Sequence, residues 1–203
     1  MKTLTGKVRA VRRVFLKLDR EIATFQRDTR LHCLSGCGEC CKKPDIEATP
    51  LEFLPLALSL YDEGKAESVL HEVRSNTGVC HAFRPHITSF GGLCHVYPDR
   101  GLICRLFGFS ARRDKEARPE LVTCRLIKEQ QAEAYEEARV MIAQGKHVPV
   151  MSNYYSLLSG IDPDLARFYP INEAMARALE VVLAYYAYRR RRRPRRRAET
   201  APA

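Results

Sequence analysis

Four of the chain's eight cysteines lie within nine residues, in the segment LHCLSGCGECCK of residues 31–42. Their spacing is Cys33-x3-Cys37-x2-Cys40-Cys41, and the glycines on either side of Cys37 let a short loop turn tightly and direct its sulfurs toward one point. Thiolates at this density serve as disulfide partners, metal ligands or redox nucleophiles. This loop is the feature of the sequence that most requires a chemical explanation.

The choice among these chemistries depends on whether the protein lies in an oxidising or a reducing compartment, and the N-terminal residues can be searched for a secretion signal. Residues 1–24 carry seven basic side chains, which leave no uninterrupted apolar segment and no cleavage site of the secretory type. We therefore expect a cytoplasmic protein. In a reducing cytoplasm, clustered cysteines favour metal binding over disulfides, and four thiolates suit zinc or an iron–sulfur cluster.

The adjacent pair Cys40-Cys41 bears on the kind of centre. Neighbouring side chains leave a strand on opposite faces and diverge by about 100° on a helix, so one small ion is a poor target for both. The pair favours a cluster of several metal atoms, two neighbouring sites, or one ligand beside one packed thiol. In the last case Cys41 behaves as a small buried hydrophobic residue.

Four further cysteines follow downstream of this loop. Two strands around Gly91-Gly92, at 87–90 and 93–97, predict a hairpin with Cys94 on its second strand, and Cys104 follows on a turn or short helix. We predict that all eight cysteines contribute to the metal site. They are Cys33, Cys37, Cys40, Cys41, Cys80, Cys94, Cys104 and Cys124.

Other side chains near the cysteines have two possible roles. His32, His81 and His95 each adjoin a cysteine, and imidazole is a good ligand for zinc or for exposed iron. Neighbours in sequence usually point elsewhere, which is the interpretation we favour. Arg100 and Arg105 either donate hydrogen bonds to thiolate sulfurs or lie on the surface.

The elements that must position these residues are mostly helical. Residues 4–30 have apolar side chains at helical spacing and predict a long helix packed on the domain, with a coiled coil as the alternative. Thr49, Pro50 and Glu52 predict the start of an apolar helix that Gly64 ends, and residues 66–73 predict a short one. Helical patterns follow at 126–143 and 153–158, and Asn172 is expected to cap a final helix.

The overall prediction is an α+β fold, predominantly helical, with one domain, a small β-hairpin and a cysteine-rich metal-binding core. At 203 residues and 45% hydrophobic the chain is long enough for a real core, and no apolar run approaches the length of a membrane span. The expected parts are an amphipathic helix at 1–30, the cysteine region at 31–125, helices of the same domain at 126–188, and a disordered arginine-rich tail at 189–203.

The net charge of +10 is concentrated in this tail. The last fifteen residues carry +7, from eight arginines between Arg189 and Arg197 and one acidic residue, so the rest of the chain carries only +3. The body therefore gives little indication of a nucleic-acid partner. The tail itself suits nucleic acid or an anionic membrane surface, or it is solvated and has no partner.

The ordered set of cysteine motifs resembles a bacterial cysteine-cluster family, the CxxCxxCC type, whose members are described as zinc- or iron-chelating proteins. The residues that carry the resemblance are 36–41 (GCGECC), Cys80, 93–97 (LCHVY) and 100–105 (RGLICR). The first gap is one residue longer than in the family, which makes Cys33 the least secure ligand, and Gly101 stands where the family tends to have proline. The resemblance implies a bound metal centre and no particular reaction.

One competing pattern is the Cys-x3-Cys-x2-Cys motif of radical S-adenosylmethionine enzymes. Those enzymes usually place an aromatic residue before the last cysteine, where this chain has Glu39, and they need a strand–helix barrel. The chain also has neither a GxSxG motif nor a P-loop, so it gives no sign of hydrolytic catalysis.

Three hypotheses follow. The first is a cytoplasmic protein with one or two thiolate centres, with an iron–sulfur cluster preferred and zinc as the alternative. The second is a zinc-stabilised module whose tail binds nucleic acid or another polyanion. The third is an enzyme related to protein methylation, which has no motif of its own in this chain.

Overall fold

The computed structural model describes residues 3–34, 36–76, 78–86 and 91–189, and these form a mainly helical domain with small antiparallel sheets. The helices are α1 (Leu4–Thr29), α2 (Pro50–Asp62), α3 (Ala66–Ser75), α4 (Leu102–Leu106), α5 (Arg125–Gln130), α6 (Ala132–Ala143), α7 (Met151–Ser159) and α8 (Ile171–Ala187). The strands are β1 (Glu47–Ala48), β2 (Phe83–Pro85), β3 (Gly92–Cys94), β4 (Ser110–Arg113), β5 (Pro119–Val122) and β6 (Tyr169–Pro170). The predicted fold class is confirmed.

Helix α1 follows its hydrophobic periodicity closely. The side chains at its three- and four-residue spacing, among them Val8, Phe15 and Phe25, are buried on one face. That face packs against α2, α4, α6 and α7 within the same chain, so α1 is a packed helix and not half of a coiled coil. Its last residues deliver the chain to the cysteine loop.

Helix α2 is the centre of the core. Its N-terminus has the predicted capping box, in which the Thr49 N–H donates to Glu52 Oε1 at 2.7 Å, with Pro50 in the first turn. Leu51, Phe53 and Leu54 are almost fully buried, and α2 packs on α8 on one side and α1 on the other. This core holds the elements that carry the cysteines.

Three two-stranded antiparallel sheets lie among the described residues, where the sequence predicted one hairpin. That hairpin exists, with Cys94 on its second strand, but the pairing runs from Phe83 opposite Cys94 to Pro85 opposite Gly92. The first strand is thus 83–85, and Gly92 is a strand residue, so the predicted Gly-Gly turn is wrong. The predicted first strand at 87–90 lies outside the described residues. The pairs β1 with β6 and β4 with β5 had not been predicted.

Two helix boundaries also differ from their predictions. The pattern at 126–143 is interrupted at Gln131, which separates α5 from α6. Asn172 does not cap α8, because the helix begins at Ile171. Both side chains instead bond distant backbone groups near the cysteines.

Among the described residues, none of the helices combines the length and the apolar character needed to cross a membrane.

Candidate metal centre

A cavity of about 310 Å³ lies where the cysteine loop meets the rest of the domain. Side chains from the loop, the end of the α3–β2 connection, β3, α4 and the start of α5 line it. All eight cysteines are among the lining residues, namely Cys33, Cys37, Cys40, Cys41, Cys80, Cys94, Cys104 and Cys124. The fold thus brings all the thiols of the chain, from Cys33 to Cys124, to one place.

The start of the cysteine loop is held by Gln131. The His32 N–H donates to Gln131 Oε1 at 3.0 Å, and Gln131 Nε2 donates to the His32 carbonyl at 2.7 Å. This pair of bonds between one side chain and one backbone position explains why the helical pattern stops at Gln131, whose backbone leaves the helical region at φ −129°. Gln131 therefore positions Cys33, a role that no local pattern in the sequence indicated.

The middle of the loop docks on the β2–β3 hairpin. The Gly92 N–H donates to the Gly36 carbonyl at 2.9 Å. Gly38 has φ +59°, and a Cβ there would lie 2.6 Å from the Phe83 ring and 2.9 Å from the Gly92 carbonyl oxygen. Glycine is required at this position both by the backbone angle and by the closeness of the hairpin. The expected tight turn is present, and the hairpin determines where it points.

A 3₁₀ turn at Glu39–Lys42 follows and carries the adjacent cysteines. The Cys41 carbonyl accepts a hydrogen bond from the Cys80 N–H at 3.3 Å, which joins the two cysteine regions directly. The Asn172 side chain accepts from the His81 N–H at 2.8 Å and donates to the Asn76 and Val79 carbonyls. Asn172 thus fixes the segment that presents Cys80.

Cys104 and Cys124 come from two short helices. Cys104 lies on α4, whose start is tied to α2 because the Ile103 N–H donates to Glu52 Oε2 at 2.9 Å. Cys124 is the N-cap of α5, and its Sγ accepts a hydrogen bond from the Ile127 N–H at 3.4 Å. The Glu52 carboxylate was identified in the sequence only as a capping residue. Its second oxygen makes it the link between the core helix and a candidate ligand.

Burial keeps most of these thiols protonated. It raises the pKa of Cys80 to about 11, and desolvation together with the thiols of Cys37, Cys40 and Cys124 raises the pKa of Cys33 to about 12. Burial also raises the pKa of Cys94, and it raises that of Cys104 well above the ordinary value, with neighbouring thiols contributing. A thiolate in this cavity therefore needs a nearby positive charge, which a bound metal would provide.

The adjacent pair differs from the other cysteines. A hydrogen bond from Cys41 lowers the pKa of Cys40 to about 7, and the Arg100 guanidinium also favours the Cys40 thiolate. The same hydrogen bond raises the pKa of Cys41, whose proton it holds. Cys40 is thus the thiol most ready to ionise. It also lies close enough to influence Cys33, Cys41, Cys80, Cys94 and Cys104.

The two arginines of the second region have different roles. The buried Arg105 is fully engaged, because it bonds Asp19 at 2.6 Å and the carbonyls of Arg100 and Pro98. Arg100 lines the cavity, its guanidinium stacks 3.9 Å from the Tyr97 ring centroid, and its Nε is buried with no hydrogen-bond partner in the described chain. Arg105 therefore holds the turn from which Arg100 presents an unused donor.

Among the histidines beside cysteines, His32 lines the cavity, and the other two are engaged elsewhere. His95 Nδ1 lies 2.8 Å from the Ala82 carbonyl, and His81 Nε2 lies 3.6 Å from Glu72. Burial lowers the pKa of His81. These contacts agree with the view that a histidine next to a cysteine in sequence need not share its target.

The thiols share the cavity without converging on one point. Across residues 3–34, 36–76, 78–86 and 91–189, no group of three or more His, Cys, Asp and Glu side chains is arranged to hold a metal ion. A metal ion bound by several of these thiols would require their sulfurs to move closer together, as expected where metal binding is coupled to local folding. The lining still fits a metal centre, because its candidate ligands are thiols and a buried guanidinium N–H beside them has no acceptor among the described residues.

Comparison with known proteins agrees with this site. A family model described as "CxxCxxCC: Putative zinc- or iron-chelating domain" matches residues 32–139, which is more than half of the chain. The matched region contains all eight cysteines. No curated protein and no solved structure matches the chain.

Proposed function

Because the chain belongs to the CxxCxxCC family of zinc- or iron-chelating domains, we propose that it holds a metal centre in the eight-cysteine cavity. The observation that carries this proposal is that every cysteine of the chain lines that one cavity. Cys37, Cys40, Cys80, Cys94 and Cys104 are the principal ligands in this proposal, and Cys33, Cys41 and Cys124 complete the set. The proposal requires a reducing compartment such as the cytoplasm, where the thiols stay available.

An iron–sulfur cluster is the preferred occupant. A tetrahedral zinc ion uses four thiolates, whereas eight thiols line this cavity, among them the hydrogen-bonded pair Cys40 and Cys41. A cluster has several metal atoms and sulfides spread over a larger volume, so such a pair can serve it. Two zinc ions with four thiolates each are the alternative that the same eight residues permit.

The chain's own residues have defined tasks in either case. Arg100 directs its unpartnered Nε–H toward the negative charge that accumulates on thiolate ligands, and Cys40 and Cys94 are the thiols that its charge influences. The buried side chains of Phe53 and Ala82 line the cavity and help exclude water from it. An iron–sulfur cluster supplies one-electron exchange when bound, whereas fully thiolate-ligated zinc has a structural role.

The test is the composition of protein isolated without oxygen. Iron, zinc and acid-labile sulfide are measured per chain, together with the visible absorption spectrum. Iron with matching sulfide and a brown colour supports the cluster, and two zinc ions without sulfide support the alternative. Protein that contains neither metal after anaerobic isolation and attempted reconstitution contradicts the proposal.

Cys40→Ser is the informative variant and Cys33→Ser its comparison, because both remove one thiol of the same loop. Cys40 influences five other cysteines and has the lowered pKa, whereas Cys33 is exposed. We expect Cys40→Ser to lose most of the bound metal and Cys33→Ser to keep more of it. The reverse order contradicts the proposed ligand ranking.

A further inference from the structure

The cysteine cavity adjoins a second cavity of about 380 Å³ with a mainly apolar lining. Cys40, Cys41, Cys80 and Cys104 line both cavities together with Phe107 and Ile171, so these residues form the wall between them. Tyr155 of α7 lines the second cavity, with its ring centroid 4.8 Å from that of Phe168. Tyr155 is therefore a polar side chain placed behind the candidate ligands.

The Tyr155 hydroxyl is buried, and no described residue forms a hydrogen bond with it. An unpaired buried hydroxyl costs about 1–3 kcal/mol of folding free energy, so its position needs a reason. Burial raises the pKa of this phenol, and nearby Glu52 and Cys104 raise it further when they are ionised. These two groups are thus the nearby acidic candidates for accepting its proton in a hydrogen bond.

Glu52 is already occupied by other donors. Its Oε1 accepts from the Thr49 N–H at 2.7 Å and from the Thr49 hydroxyl at 3.0 Å, and its Oε2 accepts from the Ile103 N–H at 2.9 Å. A carboxylate oxygen has two lone-pair sites, and the Leu102 backbone N–H also hydrogen-bonds Glu52. The sulfur of Cys104 is therefore the acceptor that remains for Tyr155.

We infer that Tyr155 donates a hydrogen bond to the Cys104 thiolate when Cys104 ligates metal, and that it acts as a positioning residue that adjusts the affinity and potential of the centre. The inference rests on the proposed function, because a protonated Cys104 is a weak acceptor whereas a ligating thiolate is a strong one. Tyr155 serves Cys104, while Arg100 serves Cys40 and Cys94. A donor that binds the thiolate stabilises the more negative, reduced centre and raises its reduction potential.

The test is Tyr155→Phe, which removes the hydroxyl and keeps the ring. Tyr154→Phe is its matched control. Tyr154 is the preceding residue of α7 and also has a buried hydroxyl, but that hydroxyl interacts with Glu21, and the ring lies 5.9 Å from the Lys17 ammonium, away from the cysteines. Both variants are isolated anaerobically with their metal, and metal retention is measured by competition with a chelator.

We expect Tyr155→Phe to weaken metal retention by about 10- to 100-fold, the usual effect of losing a hydrogen bond to a ligand. If the centre contains iron, its reduction potential falls by up to about 59 mV, which corresponds to a tenfold change for one electron. If the centre contains zinc, the Co²⁺-substituted protein reports the same change as a shift of its sulfur-to-metal charge-transfer band. Tyr154→Phe leaves retention, potential and band unchanged.

Two results overturn the inference while the proposed function survives. One is metal-loaded Tyr155→Phe with the retention and spectrum of Tyr154→Phe. The other is metal-free Tyr155→Phe that melts at a lower temperature than metal-free wild type, since the hydroxyl would then have a structural partner already. Wild-type protein that binds no metal refutes the proposed function, and this inference with it.

Discussion

Replacing Arg100 with methionine removes a guanidinium from the cysteine cavity and keeps an unbranched side chain that packs on Tyr97. Arg100 Nε is buried without a partner in the described chain, and the positive charge of the guanidinium favours the Cys40 thiolate. The arginine is therefore costly to the empty fold and useful to a loaded centre. The variant should affect the two states in opposite directions.

The magnitude follows from the two kinds of hydrogen-bonding loss. A hydrogen bond to a charged group contributes about 1.5–3 kcal/mol, so the loaded protein should hold metal about 10- to 100-fold more weakly in Arg100→Met. An unsatisfied buried donor costs about 1–3 kcal/mol, so the metal-free variant should be as stable as wild type or more stable. Reduced metal retention with unreduced metal-free stability is the expected signature.

The assay combines chelator competition on loaded protein with thermal melting of loaded and metal-free protein at one ionic strength. Arg113→Met is the matched control, because Arg113 is exposed on β4 and loses the same charge. If both variants lose metal equally, the effect is one of net charge alone. If Arg100→Met destabilises the metal-free protein as much as the loaded one, Arg100 has a structural role and the reasoning is refuted.

Four further predictions address the site and the tail. Serine at Cys37 should reduce bound metal, measured by elemental analysis, more than serine at Cys33, and full loss with Cys33→Ser alone would contradict this ranking. Gly101→Ala should lower the melting temperature, because the added Cβ would lie 2.8 Å from Glu52 Oε2 and 3.0 Å from the Phe53 ring. An unchanged melting temperature would show that the start of α4 shifts to make room for the methyl group. Burial raises the pKa of Glu52 to about 7 from 4.5, so its stabilising effect is present below pH 4.5 and is lost as the pH rises through 7. The free energy of unfolding, measured with denaturant, should decrease from pH 5 to 8 in wild type. The part of this decrease that comes from Glu52 should be absent in Glu52→Gln. Truncation after Tyr188 should leave metal content unchanged and abolish any polyanion binding, whose salt dependence in the full chain should approach about −0.9 per phosphate contact on duplex DNA. Equal binding by both forms would locate that surface on the folded body.

The helices were predictable because their signals are local. The three- and four-residue spacing in α1 and the Thr49–Glu52 capping box act between residues a few positions apart, and the structure has both. The hairpin was predicted with Cys94 on the correct strand but with the wrong partner strand and turn. Register between strands depends on long-range packing, here of Gly92 against Phe83 and the cysteine loop, which the turn residues alone do not specify.

The misplaced boundaries share one cause. Gln131 and Asn172 both have side chains that bond backbone groups about ninety or more residues away, at His32 and at the segment before Cys80. Helix propensity and capping preference are weak local preferences, and such tertiary hydrogen bonds outweigh them. Each of the two departures therefore occurs where a residue supports the cysteine site.

By itself the sequence determined the helical class, the family and the eight thiols, because residue type and short-range spacing carry that information. Only the tertiary structure decided that all eight line one cavity, that Arg105 is engaged while Arg100 keeps an unused donor, and that Tyr155 lies behind Cys104. Those facts depend on which distant segments meet in the packed core. The core is organised by α2 against α1 and α8, and its contacts join residues that no local pattern relates.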